Sequence, residues 1–221
     1  MRILIADDHA VVRHGLRQIL AGTYRHAHFG EAADSQQTLD LVWKETWDIV
    51  ILDLTMPGRG GVDVLTEIKR SHAALPVLIL SMHPEDQFAV RLLKAGASGY
   101  MNKECAPDEL VGAVQKVMAG GRYVSAKLSE KLASLLVHEV QLAPHERLSN
   151  REFFILRQIA AGKSVSIIAN ELSLSVKTVS TYRHRLLEKM SLSNNAEILR
   201  YAFDNNLVDT PARAPASQAA S

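Results

Sequence analysis

The sequence predicts an α/β domain, built as a doubly wound parallel sheet of five strands, followed by a small all-α domain of four helices. Two observations carry that prediction. Short, branched, fully apolar runs alternate with amphipathic stretches up to about residue 122, the pattern of strands covered by helices on both faces. From about residue 148 the apolar spacing is helical throughout. The boundaries read as 1–122 and 148–207, joined by a connector at 123–147 and followed by a tail at 208–221.

Ile3-Leu4-Ile5-Ala6, Ile49-Val50-Ile51-Leu52 and Val77-Leu78-Ile79-Leu80 are the clearest strands, and Ala27-His28-Phe29-Gly30 and Ser98-Gly99-Tyr100-Met101 complete the sheet. Helical patterns fill 10–21, 34–45, 61–70, 86–95 and 107–119, and Gly96 and Gly120 stop the last two. Such βα repeats imply right-handed crossovers. In the connector, Leu128, Leu132, Leu135 and Leu136 suggest a short helix, ended by Ala143-Pro144-His145. Ser149 and Glu152 then have capping-box spacing, and Gly162 stops the helix they begin. Further helices follow at 165–172, 176–190 and 195–206. The tail has no apolar periodicity and is expected to be disordered.

A net charge of +1 says nothing of nucleic acid, but the halves differ. Residues 1–122 carry 13 Lys+Arg against 15 Asp+Glu, and 123–221 carry 12 against 9. An acidic front and a basic back suit a metal or phosphate switch followed by a polyanion binder. Cys105 is the single cysteine, so no intrachain disulfide exists, which suits the cytoplasm. Asp7 and Asp8 interrupt the first apolar run too early for a signal peptide. No run approaches the roughly 18 apolar residues of a membrane span, so no membrane partner is expected.

Asp7, Asp8, Asp53, Ser81 and Lys103 all fall at carboxyl ends of predicted strands. Ligands bind at that edge of a doubly wound sheet, where the strand order reverses. With the order 2-1-3-4-5, Asp7, Asp8 and Asp53 converge. Three ionised carboxylates need a counter-charge, which a hard cation such as Mg²⁺ supplies. It would shield Asp53 from an incoming phosphoryl group. Lys103 would contact the phosphoryl oxygens, and Ser81 would offer a hydroxyl once they are present. Taken singly, each residue also fits a solvated turn, a helix cap or a surface lysine.

The runs Ile5-Ala6-Asp7-Asp8-His9, Leu52-Asp53-Leu54-Thr55-Met56-Pro57-Gly58, Leu80-Ser81-Met82 and Ala95-Gly96-Ala97-Ser98-Gly99-Tyr100-Met101-Asn102-Lys103 resemble the receiver domain of response regulators, a flavodoxin-like fold. The resemblance implies Asp53 as phospho-acceptor. It implies Asp7 and Asp8 as Mg²⁺ ligands beside Asp53, with the Thr55 backbone carbonyl as a further contact. Ser81 and Tyr100 would be the switch pair and Lys103 the phosphate-binding lysine. Glu104 stands where many receivers have proline.

In the second half, a helix around Ala169, the turn Leu172-Ser173-Leu174-Ser175 and a long helix from Val176 have helix-turn-helix geometry. Val176, Val179, Leu186 and Met190 read as its buried stripe, and Lys177, Thr178, Thr181, Tyr182, Arg185 and Lys189 as the other face. A solvated helix in a small bundle would show the same pattern. Leu148-Ser149-Asn150-Arg151-Glu152, Ala161-Gly162-Lys163-Ser164, Ile168-Ala169 and Leu174-Ser175-Val176-Lys177-Thr178-Val179-Ser180 resemble the LuxR-type domain of NarL/FixJ regulators. By that resemblance Ser180, Thr181 and His184 face the groove floor, while Lys177, Tyr182, Arg185 and Lys189 sit nearer the phosphates. The last helix, with Ile198, Leu199 and Ala202, resembles the dimerisation helix. Ile167 stands where an acid is usual, and Arg183 where an apolar residue is usual.

The resemblance implies a two-component response regulator. A sensor histidine kinase would phosphorylate it, and phosphorylation would draw Ser81 and Tyr100 inward, promoting a homodimer that binds double-stranded DNA and regulates transcription. It is not expected to be an enzyme. A dehalogenase-like phosphatase would need a second acid at position 9, where His9 stands. A DNA-binding scaffold that is never phosphorylated stays open, although Asp8, Asp53 and Lys103 are all intact.

Overall fold

Five short runs form one parallel sheet: β1 (Arg2–Ala6), β2 (His28–Ala32), β3 (Ile49–Asp53), β4 (Val77–Ser81) and β5 (Gly99–Asn102), in the order β2-β1-β3-β4-β5. The computed structural model describes residues 1–56, 60–82, 85–126, 128–130, 143–172, 174–205 and 207. The chain divides into two compact units, with the main division between residues 141 and 142.

Alternation along the central strands explains their unbroken hydrophobicity. Ile3, Ile5, Ile49, Ile51, Leu78 and Leu80 pack under α1 (Ala10–Thr23) and α5 (Pro107–Met118), against Leu16, Leu20, Leu110 and Val114. The alternate residues Leu4, Val50, Leu52 and Ile79 are equally buried. Among the described residues of this unit the other helices are α2 (Ser35–Lys44), α3 (Gly61–Ser71) and α4 (Glu85–Lys94). Gly96 and Gly120 end α4 and α5 in the left-handed region that glycine tolerates. β2 runs to Ala32, beyond the segment the sequence suggests, because an edge strand with exposed residues carries a weak pattern.

The second unit opens with a 3₁₀ turn, Pro144–Arg147, followed by α6 (Asn150–Ala160), α7 (Val165–Glu171), α8 (Val176–Met190) and α9 (Asn195–Asp204). The capping box forms as expected: Ser149 Oγ accepts from Glu152 N, and Glu152 Oε2 from Ser149 N. Phe153, Leu156, Val179, Leu186, Ile198 and Ala202 are buried. Val176 departs from the expected stripe. It is 50% exposed because it opens α8, before the helix reaches its neighbours, and Leu187 is buried instead. Among the described residues no helix is long and apolar enough to cross a membrane. Pro57, Gly58, Leu132, Leu135, Leu136, Ser173 and the tail at 208–221 lie outside the described residues.

Candidate functional site

Strand register assembles the acidic cluster. Ala6 pairs with Leu52, so Asp7 and Asp53 stand side by side at the carboxyl ends of β1 and β3. Ser81 pairs with Asn102, which brings Lys103 to the same edge, and Lys103 N donates to the Ser81 carbonyl at 3.0 Å. The Lys103 ammonium lies 2.7 Å from Asp7 Oδ2 and 2.8 Å from Asp53 Oδ2, and all three side chains are buried. Burial alone would lower the Lys103 pKa, but hydrogen bonds and charge from Asp53 and Asp7 outweigh it and hold it above the ordinary value. The ammonium is therefore locked charged between two acids.

Thr55 serves Asp53 as a donor: its backbone N–H and hydroxyl reach the carboxylate at 3.2 and 3.0 Å. Gly61 allows α3 to begin against this loop, since a Cβ there would meet the Asp53 carbonyl at 2.6 Å. Ser81 is buried, and Tyr100 is 1% exposed, so the tyrosine is already inside. Inward movement from solvent is thus not what this conformation has left to do. The departure at Glu104 has a use: its N–H donates to Asn102 Oδ1 at 2.9 Å, a bond proline would forfeit.

Two neighbours were not singled out by sequence. His9 Nδ1 lies 2.7 Å from Asp8 Oδ1, and Arg13 donates to the Asp7 carbonyl at 2.7 Å. The signal for both was position, since His9 caps α1 and Arg13 sits one turn along it. Asp7, Asp8, His9 and Asp53 offer ligand atoms within 4.8 Å of one another. Asp7 Oδ2 and Asp8 Oδ1 are buried, and their close contacts are ionic, with Lys103 and His9. Carboxylate oxygens turned into one cluster can hold a hard cation.

In the second unit, Ser175 caps α8 by accepting from Thr178 N at 3.0 Å. Lys177, Ser180, Thr181, His184, Arg185 and Lys189 are exposed along it, with Tyr182 and Arg183 half-buried. Thr181 Oγ1 donates to the Lys177 carbonyl, and His184 Nε2 lies 3.4 Å from Glu188 Oε1. Arg183 has a defined partner: its Nε donates to Asn195 Oδ1 at 2.7 Å, tying α8 to the start of α9. Lys189 is engaged too, 2.7 Å from the buried Glu152 of the capping box.

Residues 3–115 match the family described as response regulator receiver domain, and residues 146–202 match the bacterial regulatory proteins of the luxR family. The response regulator GacA of Pseudomonas viridiflava is 37% identical over 96% of this chain and 100% of its own length. The response regulator UvrY of Escherichia coli K12 is 33% identical over 94% of this chain and 95% of its own. Among solved structures, RcsB of Salmonella enterica serovar Typhimurium, bound to promoter DNA with the phosphomimetic BeF3⁻, is 28% identical. It covers 91% of this chain and 97% of its own, with a TM-score of 0.65. One family match falls on each compact unit and the relatives run nearly end to end, so this chain belongs to the NarL/FixJ-type response regulators, a receiver domain joined to a LuxR-type DNA-binding domain.

Proposed function

We propose that Asp53 accepts a phosphoryl group from a histidine of a sensor kinase, and that this modification controls dimerisation and the binding of double-stranded DNA by α8. The observation that carries the reading is the Lys103 ammonium, held 2.8 Å from Asp53 and 2.7 Å from Asp7 at the edge where the sheet order reverses. An Asp53 carboxylate oxygen attacks phosphorus, the phosphorus–nitrogen bond to the donor imidazole breaks, and its electron pair stays on that ring. Lys103 keeps its charge and moves from the carboxylate to a phosphoryl oxygen. The Ser81 hydroxyl then donates to a phosphoryl oxygen. Thr55 N–H and hydroxyl hold Asp53 in its attacking orientation.

The buried, clustered oxygens of Asp7 and Asp8 fit Mg²⁺. Asp7, Asp8, Asp53 and the Thr55 carbonyl would hold it, and it would supply the positive charge that lets an anionic phosphoryl group approach. On this reading residues 1–122 are the receiver, 123–147 the linker, 148–207 the DNA-binding domain and 208–221 the tail, and the protein works in the cytoplasm. Lys177, Arg185 and Lys189, with Tyr182, address phosphates, and Ser180, Thr181 and His184 address base edges. Promoter-bound RcsB with BeF3⁻ supports the pairing of the two events.

Acetyl phosphate with Mg²⁺ tests the acceptor: intact-mass and peptide mapping should find one phosphoryl group on Asp53 and none there in Asp53→Asn. A label mapped to another residue would refute the assignment.

A further inference from the structure

Among the described residues, the chain beyond α5 is fastened to the receiver at two points, and both lie on elements that frame the proposed phosphorylation site. Tyr123 forms an isolated parallel bridge with Gly99 at the outer edge of β5. Tyr123 N donates to the Ser98 carbonyl, and Tyr100 N donates to the Tyr123 carbonyl, each at 3.0 Å. Two residues on, Ser125 N donates to Glu85 Oε1, on the first residue of α4, at 3.0 Å. Ser125 in turn caps the next turn, accepting from Leu128 N at its hydroxyl and from Ser129 N at its carbonyl. Leu128 is 2% exposed. Glycine at position 99 is required by this fit, since a Cβ there would lie 2.8 Å from the Tyr123 carbonyl.

One hydrogen bond of the bridge therefore comes from Tyr100, and the second fastening comes from α4, which follows Ser81 in the chain. Neither β5 nor α4 can shift without being felt at residues 123–125, where the connector starts. In this conformation Tyr100 is inside and both fastenings are closed.

We propose that residues 123–125 are a clip that reports the phosphorylation state to the connector, with Glu85 as its positioning residue. This rests on Asp53 being the phospho-acceptor. A phosphoryl group that bonds Ser81 favours the arrangement with Tyr100 inside, and that arrangement is the one in which the clip is closed. Phosphorylation thus tightens the clip. Coupling is reciprocal, so opening the clip weakens binding of the phosphoryl mimic by the same factor.

Amide hydrogen exchange on the full chain, with and without beryllofluoride and Mg²⁺, reads the clip directly. Exchange at Tyr123, Ser125 and Leu128 should slow by about tenfold on loading, a usual size for coupling between sites. Glu85→Ala should abolish that change and bind beryllofluoride about tenfold more weakly, whereas Glu85→Gln keeps a carbonyl acceptor and most of the effect. Gly99→Ala should reproduce the loss by displacing Tyr123, with Glu85 intact. Mapping Asp53 phosphorylation in the wild type separates the two readings. If Asp53 is modified and exchange at 123–128 does not respond, the clip is refuted and the acceptor stands. If Asp53 is not modified, both fall. A Glu85→Ala protein with wild-type response and affinity would also overturn the clip.

Discussion

Lys189→Ala should damage the DNA-binding domain mainly through Glu152. That carboxylate is 3% exposed, and its Oε2 accepts from Ser149 N at 2.8 Å and from Lys189 at 2.7 Å. Among the described residues, removing Lys189 leaves this buried carboxylate its cap bond to Ser149. A hydrogen bond to a charged group contributes about 1.5–3 kcal/mol. Lys189 is 44% exposed, and solvent screening brings its share down to about 1–2 kcal/mol. For a domain of this size each kcal/mol moves Tm by about 4–8 °C. Calorimetry of the full chain should therefore find the second unit's transition lower by roughly 4–16 °C at pH 7. The pH dependence adds a signature. Burial pushes the Glu152 pKa up, but Lys189 and Ser149 more than reverse it, so the folded value lies below the ordinary one. A depressed carboxyl contributes stability that is complete above its unfolded pKa, near 4.3, and is lost as pH falls through the folded value. The gap between wild type and Lys189→Ala should narrow in acid and close once Glu152 is protonated in both proteins. An unchanged Tm at pH 7, or a gap that widens in acid, would show that the pair does not hold α6 to α8.

Lys103→Ala leaves Asp7 and Asp53 facing each other; removing one partner of a buried ion pair costs about 3–5 kcal/mol. Denaturant midpoints should show that loss and a larger recovery with Mg²⁺ than in wild type; identical midpoints would contradict it. On α8, Lys177→Ala and Arg185→Ala should weaken binding to every duplex alike and lower the salt slope by about one. Ser180→Ala, Thr181→Ala and His184→Ala should instead cost about 1–3 kcal/mol at the preferred site only. Proportional losses on specific and random DNA in both groups would remove the distinction. Beryllofluoride should raise the mass seen by light scattering, whereas Asp53→Glu, which keeps a charge without the phosphoryl oxygens, should remain monomeric. Equal masses would argue against a geometric switch.

Legibility in the sequence followed the range of the interactions. β1, β3 and β4 are apolar on both faces because helices cover both, so composition alone identified them. β2 lies at the sheet edge with an exposed residue at its start, and its limits blurred accordingly. Asp7, Asp53 and Lys103 were legible because strand ends are local and the strand order brings them together. The pairing of Lys189 with Glu152 was not, since those residues lie 37 apart and the contact depends on how α6 and α8 pack. The same holds for Glu85 and Ser125, 40 apart in sequence. Arg183 shows the limit of a helical-wheel argument. It falls on the inner side of the stripe, but the stem of a long cation lets its head reach Asn195 at the margin.

The charge balance of the site explains why oxygen placement, rather than repulsion, would throw the switch. Asp7, Asp8 and Asp53 face a single buried ammonium, which leaves two uncompensated negative charges. A divalent cation would cancel them. A phosphoryl group brings about −1.5 to −2 charges, but forming the acyl phosphate would consume the charge of the Asp53 carboxylate. The net change is then only about half to one charge, inside a cluster that already holds a lysine. That change is smaller than the charge a divalent cation would add to the same cluster. What would change is the position of the acceptor atoms, which would move outward from Asp53 toward the buried Ser81 hydroxyl. β4 and β5 are bonded at this level through Lys103 N and the Ser81 carbonyl, so a bond made at Ser81 acts on both strands at once. On the proposed reading, geometry set at one hydroxyl would in this way be carried along β5 to Tyr100, whose N–H donates to the Tyr123 carbonyl.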